Sequence, residues 1–74
     1  MPTLVRIGNL LVRIYRDHNP PHVHVSTPDG EAQILLADLS LYRGRLSTRD
    51  YEVAVHWLEG NIDAVRAEWD RLNG

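Results

Sequence analysis

With 74 residues and no cysteine, the chain is expected to form one domain that buries only roughly 60% of its unfolded surface, with disulfides excluded. A core of that size supplies about 3 to 5 kcal/mol, so a metal, a partner, self-association or close packing has to add to it. Missing cysteines, no N-terminal apolar leader and no run near the roughly 20 apolar residues of a bilayer span point to a cytoplasmic protein away from membranes.

The net charge of −2 divides into +2 over residues 1–49, with six Arg against four acids, and −4 over 50–74, with two Arg against six acids. That field is too weak for the many phosphate contacts that duplex DNA rewards.

Residues 3–16 read as a β-hairpin with Gly8-Asn9 in a two-residue turn, where a leading glycine suits type II′. Such a loop pairs Ile7 with Leu10 and Val5 with Val12, placing these four and Ile14 on one apolar face and Arg6, Arg13 and Tyr15 on the other. A second hairpin follows from His22–Ser26, the turn signal Pro28-Asp29-Gly30, and Glu31–Leu36. Taking Asp29-Gly30 as the whole turn sets Val25 against Ile34 and Val23 against Leu36. Period-two alternation then puts His22, His24, Ser26 and Gln33 on one face.

Residues 37–46 are irregular and read as a loop, with room for a short strand at Leu39–Tyr42. Ser47 is the expected N-cap of a helical segment over 47–73, with Asp50 near N3. Tyr51, Val55, Leu58, Ile62, Val65, Trp69 and Leu72 recur at spacings of 4, 3, 4, 3, 4 and 3, a continuous apolar stripe. The stripe crosses Gly60-Asn61, a costly glycine followed by a good N-cap, so the segment is either one kinked helix or a helix pair. The expected fold is α+β: a small antiparallel sheet of two hairpins covered on one face by a C-terminal helical segment.

Chemistry concentrates in Asp17-His18-Asn19-Pro20-Pro21-His22-Val23-His24-Val25. His22 and His24 share a strand face, and His18 comes from the proline-stiffened loop, so the three imidazoles can be offered to one ion, zinc being the natural choice. Asp17, Glu31 and His56 are the candidates for a further ligand. Without metal, His22 and His24 can act as general acid and base on RNA, with Arg6, Arg13, Arg43 or Arg45 stabilising phosphoryl charge. A third reading is purely architectural: the prolines aim the chain into its strand and the histidines bond loop carbonyls.

All eight basic residues are Arg, which fits either base composition or planar recognition of anions. Arg43-Gly44-Arg45, near Arg49 at a helix start, is a candidate anion-binding loop or a solvated one. Trp57 lies off the stripe and either joins the core, covers a sheet edge or anchors a partner. His56 beside it reads as a helix-surface residue.

The order Pro2-Thr3-x-x-Arg6-Ile7-Gly8, then His18-x-Pro20-Pro21-His22-Val23-His24-Val25, Gly30-Glu31-Ala32, Leu46-Ser47, and Asn61 eight residues before Trp69 resembles a family of small bacterial proteins, domain of unknown function 4160. The resemblance spans nearly the whole chain, with Asn19 standing where relatives often carry a further proline or small residue. It implies no catalytic residue. It does imply one half of a small two-gene module, often beside domain of unknown function 2442, of a kind suggested to be toxin-antitoxin systems. Three expectations result: a partner-binding module with self-association as a further option, a histidine-dependent RNase, and a metal domain built on His18, His22 and His24.

Overall fold

The computed structural model describes residues 3–73; Pro2 of the opening motif lies outside them. The elements are β1 (Thr3–Ile7), β2 (Leu10–Arg13), β3 (His22–Thr27), β4 (Gly30–Leu35), β5 (Leu41–Gly44) and α1 (Thr48–Asn73). The strands form one antiparallel meander in the order β1-β2-β3-β4-β5, and α1 covers one face of it, the expected α+β arrangement.

The first hairpin has the expected register, Ile7 opposite Leu10 and Val5 opposite Val12. Gly8 has φ +60° and Asn9 is not in the positive-φ region, as a type II′ turn requires. Leu10, Val12 and Ile14 are buried on the helix side.

The second hairpin departs from expectation in its register. Thr27 pairs with Gly30, Val25 with Ala32 and Val23 with Ile34, so Pro28-Asp29 is the turn and every pair is displaced by two residues. Pro28 thereby takes the second turn position, where its fixed φ fits, with glycine closing the turn. Thr27 Oγ1 accepts the Asp29 N–H at 3.2 Å. A displacement by two preserves the faces, so Val23, Val25 and Ile34 still enter the core and His24 lies opposite Gln33.

Residues 37–46 are not all loop. Leu39 adopts φ +61°, its N–H bonding the Leu35 carbonyl at 2.9 Å, and the chain returns as β5 along β4, two residues later than the short strand expected. That strand is exposed at every position, which is why its sequence lacks an alternating pattern.

Ser47 caps α1 as expected, its Oγ accepting the Asp50 N–H at 3.1 Å, worth about 1 kcal/mol. The segment is one helix with a kink at Asn61 (φ −132°, ψ 16°). There the Asn61 side-chain amide donates to the Trp57 carbonyl at 2.8 Å, the acceptor that residue 61 would use in an uninterrupted helix. Before the kink the buried line runs through Ala54 and Leu58, after it through Val65 and Trp69. Ala54 rather than Val55 sits against the sheet, because a small side chain lets the helix approach closely. Tyr51, Ile62 and Leu72 flank that line, partly buried.

Candidate metal centre

Beyond Arg13 the chain leaves the sheet and re-enters it at His22, passing a cis Asn19–Pro20 peptide on the way. This excursion folds Asp17 back over the start of β3. Its Oδ2 lies 3.2 Å from His22 Nε2 and 3.1 Å from His24 Nε2. Ligand atoms of Asp17, His22 and His24 all fall within 4.8 Å of one another. Tetrahedral zinc bonds of about 2.0–2.1 Å put ligand atoms about 3.4 Å apart, close to the separation of Asp17 from each histidine.

The second ring nitrogen of His22 sharpens this reading. Nδ1 donates to the Pro20 carbonyl at 2.8 Å; a carbonyl can only accept, so Nδ1 carries the proton. In a neutral ring Nε2 is then a bare lone pair, and it faces a carboxylate oxygen at 3.2 Å. Two acceptors at that separation require a cation between them, either a second proton on the imidazole or a metal ion. A backbone carbonyl that fixes the tautomer and ring orientation is also the usual outer-sphere support of a metal-binding histidine.

Asp17 supplies the negative charge. The His18 N–H, donating to Oδ1 at 2.8 Å, holds its carboxyl below the ordinary carboxylate range, with the His24 hydrogen bond and the charge of His22 acting the same way and desolvation opposing them. The carboxylate is therefore ionised at neutral pH. Asn73, at the end of α1, accepts the Asp17 N–H at 2.8 Å through Oδ1 and donates to the Tyr15 carbonyl at 3.3 Å.

His22 is 4% exposed, its ring 5.4 Å from that of Trp69 and 6.1 Å from that of Tyr42. His24 is partly exposed, with Tyr15 edge-on at 4.8 Å. The two histidines do converge, but only His24 offers much surface to solvent, a poor arrangement for an acid and a base on opposite sides of an RNA phosphate.

The other sequence-derived candidates lie apart from the cluster. His18 is exposed and contributes its backbone N–H; its imidazole is not a member, and Asp17 takes the third place. Glu31 sits opposite Ser26 and accepts its hydroxyl at 3.1 Å. His56 and Trp57 line a shallow groove with Ile7, Arg49 and Val53, and Trp57 is partly buried against the core. Arg43-Gly44-Arg45 is split by its setting: Arg43 lies on β5 opposite Gln33, whereas Arg45 follows the strand, bonding the Glu31 carbonyl through its N–H at 3.1 Å. Asn73 and the Pro20 carbonyl had no signal in the sequence, since their roles arise only from the path of the loop and the end of the helix.

Fold and site together define a small antiparallel α+β domain with an Asp/His cluster where its central strand begins. A family model described as Domain of unknown function (DUF4160) matches residues 9–70, and the chain belongs to that family. No curated protein and no solved structure matches the chain.

Proposed function

We propose that this protein is a metal-binding domain holding a divalent transition ion, zinc being the best fit, through Asp17 Oδ2, His22 Nε2 and His24 Nε2. The observation that carries it is geometric: Asp17 Oδ2 lies 3.2 Å from His22 Nε2 and 3.1 Å from His24 Nε2, and the Pro20 carbonyl bonded to Nδ1 turns the His22 ring so that Nε2 faces the cluster. Two imidazoles and one carboxylate suit zinc, and three protein ligands leave one position open.

Titrating zinc against the melting temperature of metal-free protein tests this. Saturating zinc at 100 times its Kd stabilises by about 2.7 kcal/mol through mass action, a rise of roughly 10 °C or more in a domain this small. The rise is expected to vanish in His24→Ala and Asp17→Asn and to fade at acid pH, where protons compete for the imidazoles. His18→Ala is expected to retain it. A melting temperature unmoved by zinc, cobalt or nickel in the wild type overturns the proposal.

A second reading rests on β5. Its outer edge pairs with no strand among the described residues, and Leu41 and Tyr42 are 46% and 38% exposed. An unpaired edge with apolar side chains is a template for strand addition. On this reading a bacterial, cytoplasmic protein recruits a small partner encoded beside it, within a toxin-antitoxin-type module. Co-expression with the neighbouring gene product is expected to yield a complex that Leu41→Lys weakens at least about tenfold; a complex indifferent to that change counts against β5 as the contact.

A further inference from the structure

The face of the sheet turned away from the helix carries a row of side chains leading from the Asp17–His22–His24 cluster. Cross-strand register places Arg13 opposite His24, His24 opposite Gln33 and Gln33 opposite Arg43, so four adjacent strands contribute one polar line, its neighbours about 4.8 Å apart. A cavity of about 250 Å³ opens beside it, lined by Asp17, His22, Gln33, Tyr42 and Arg43. A second, of about 180 Å³, lies on the other side of Gln33 and Arg43 and reaches His24.

The cations of this row are uncommitted. Among the described residues neither Arg13 nor Arg43 has an ion-pair partner, and the Arg13 Nε is buried with no hydrogen-bond partner. A buried guanidinium nitrogen without an acceptor leaves the charge of Arg13 unanswered beside His24. Arg43 is held over the Tyr42 ring, its guanidinium carbon 5.0 Å from the centroid, which restrains the arm while leaving its N–H groups free.

We infer that this face binds a small phosphate-bearing molecule, one phosphoryl oxygen taking the open position on the ion held by Asp17, His22 and His24 and the others taking hydrogen bonds from Arg43 and Gln33, with Arg13 adding its charge from the far side of His24. The inference rests on the metal-binding reading. A phosphoryl group fits better than a carboxylate because it has three terminal oxygens for an ion and a fork of donors on two sides, and more charge to set against two guanidinium groups. The cavity accepts a phosphoryl group with part of its carrier and is too small for a folded partner.

Cobalt(II) in place of zinc provides a readout other than activity, since its visible bands respond to an oxygen entering the coordination shell. Cobalt-loaded protein is titrated with inorganic phosphate, and in parallel with acetate. A saturable spectral change with phosphate, weakened at least about tenfold in Arg43→Gln while cobalt affinity stays within about twofold, is the expected result. No response to phosphate, an equal response to acetate, or a phosphate affinity unaffected by Arg43→Gln overturns the inference. If cobalt gives no bands before phosphate is added, the metal-binding reading has failed and this inference falls with it; bands that phosphate leaves unchanged sink the inference alone.

Discussion

At Gly44 the backbone has φ +81°, and an added Cβ would meet the Glu31 carbonyl oxygen at 2.2 Å and the Ala32 Cα at 2.7 Å. Both obstacles are backbone atoms of the neighbouring strand, so no rotamer change relieves them. Gly44→Ala is expected to cost about 3 kcal/mol or more, combining left-handed strain with displacement of β5. In a domain this small that lowers the melting temperature by more than about 10 °C. Gly60→Ala is the contrast: nothing lies within 4 Å of its added Cβ, and it is expected to be neutral or to stabilise by about 0.5–1 kcal/mol. Thermal denaturation of the two variants checks this, and a Gly44→Ala protein melting within 2 °C of wild type, roughly half a kcal/mol, counts against the close approach of β4 and β5. In the sequence, Gly44 between two arginines reads as part of a loop; the neighbouring backbone that makes it obligatory is thirteen residues away in the chain.

The elements were legible where local chemistry decides them and obscure where a distant contact does. Gly8-Asn9 fixed one hairpin because only one two-residue turn gives glycine the positive φ and keeps Val5, Val12 and Ile14 on a common face. Ser47 announced α1 through a bond three residues long, and Gly60-Asn61 marked the kink. The second hairpin formed two residues away from the expected register, with the same faces. Matching large apolar partners favoured Asp29-Gly30 as the turn, whereas the fixed φ of Pro28 favoured Pro28-Asp29, and the backbone constraint prevailed over side-chain pairing. β5 was hidden because an edge strand exposed on every residue needs no hydrophobic alternation. The cluster was half legible in the same sense. Alternation on β3 placed His22 and His24 together, but the third member depended on a loop whose path places Asp17, not His18, over the strand.

Across the whole molecule the cluster joins parts distant in sequence. Asp17 comes from the loop after β2, His22 and His24 from β3, and Asn73 reaches the Asp17 backbone from the far end of α1, fifty-six residues away. The same asparagine bonds the Tyr15 and Trp69 carbonyls, and Arg16 Nε donates to the Leu72 carbonyl at 3.2 Å. Two side chains, Asn73 with two bonds and Arg16 with one, therefore fasten the helix end to this loop, and only Asn73 acts on Asp17. If the cluster holds an ion, Asn73 is a positioning residue for its carboxylate ligand, and losing such outer-shell support typically lowers metal affinity 10- to 100-fold. Arg16→Ala removes the other tie and leaves the bonds to Asp17 in place, so it reports the cost of loosening the helix end by itself. Zinc affinity by competition with a chelator, measured beside the melting temperature of the metal-free proteins, separates the effects. Asn73→Ala is expected to weaken zinc at least about tenfold, and Arg16→Ala to lower the melting temperature by a few degrees, for about 1 kcal/mol, with zinc affinity within about twofold of wild type. Equal zinc affinities in the two variants would mean that the end of α1 fastens the fold without orienting the ligand, and that the loop alone holds Asp17 over the histidines.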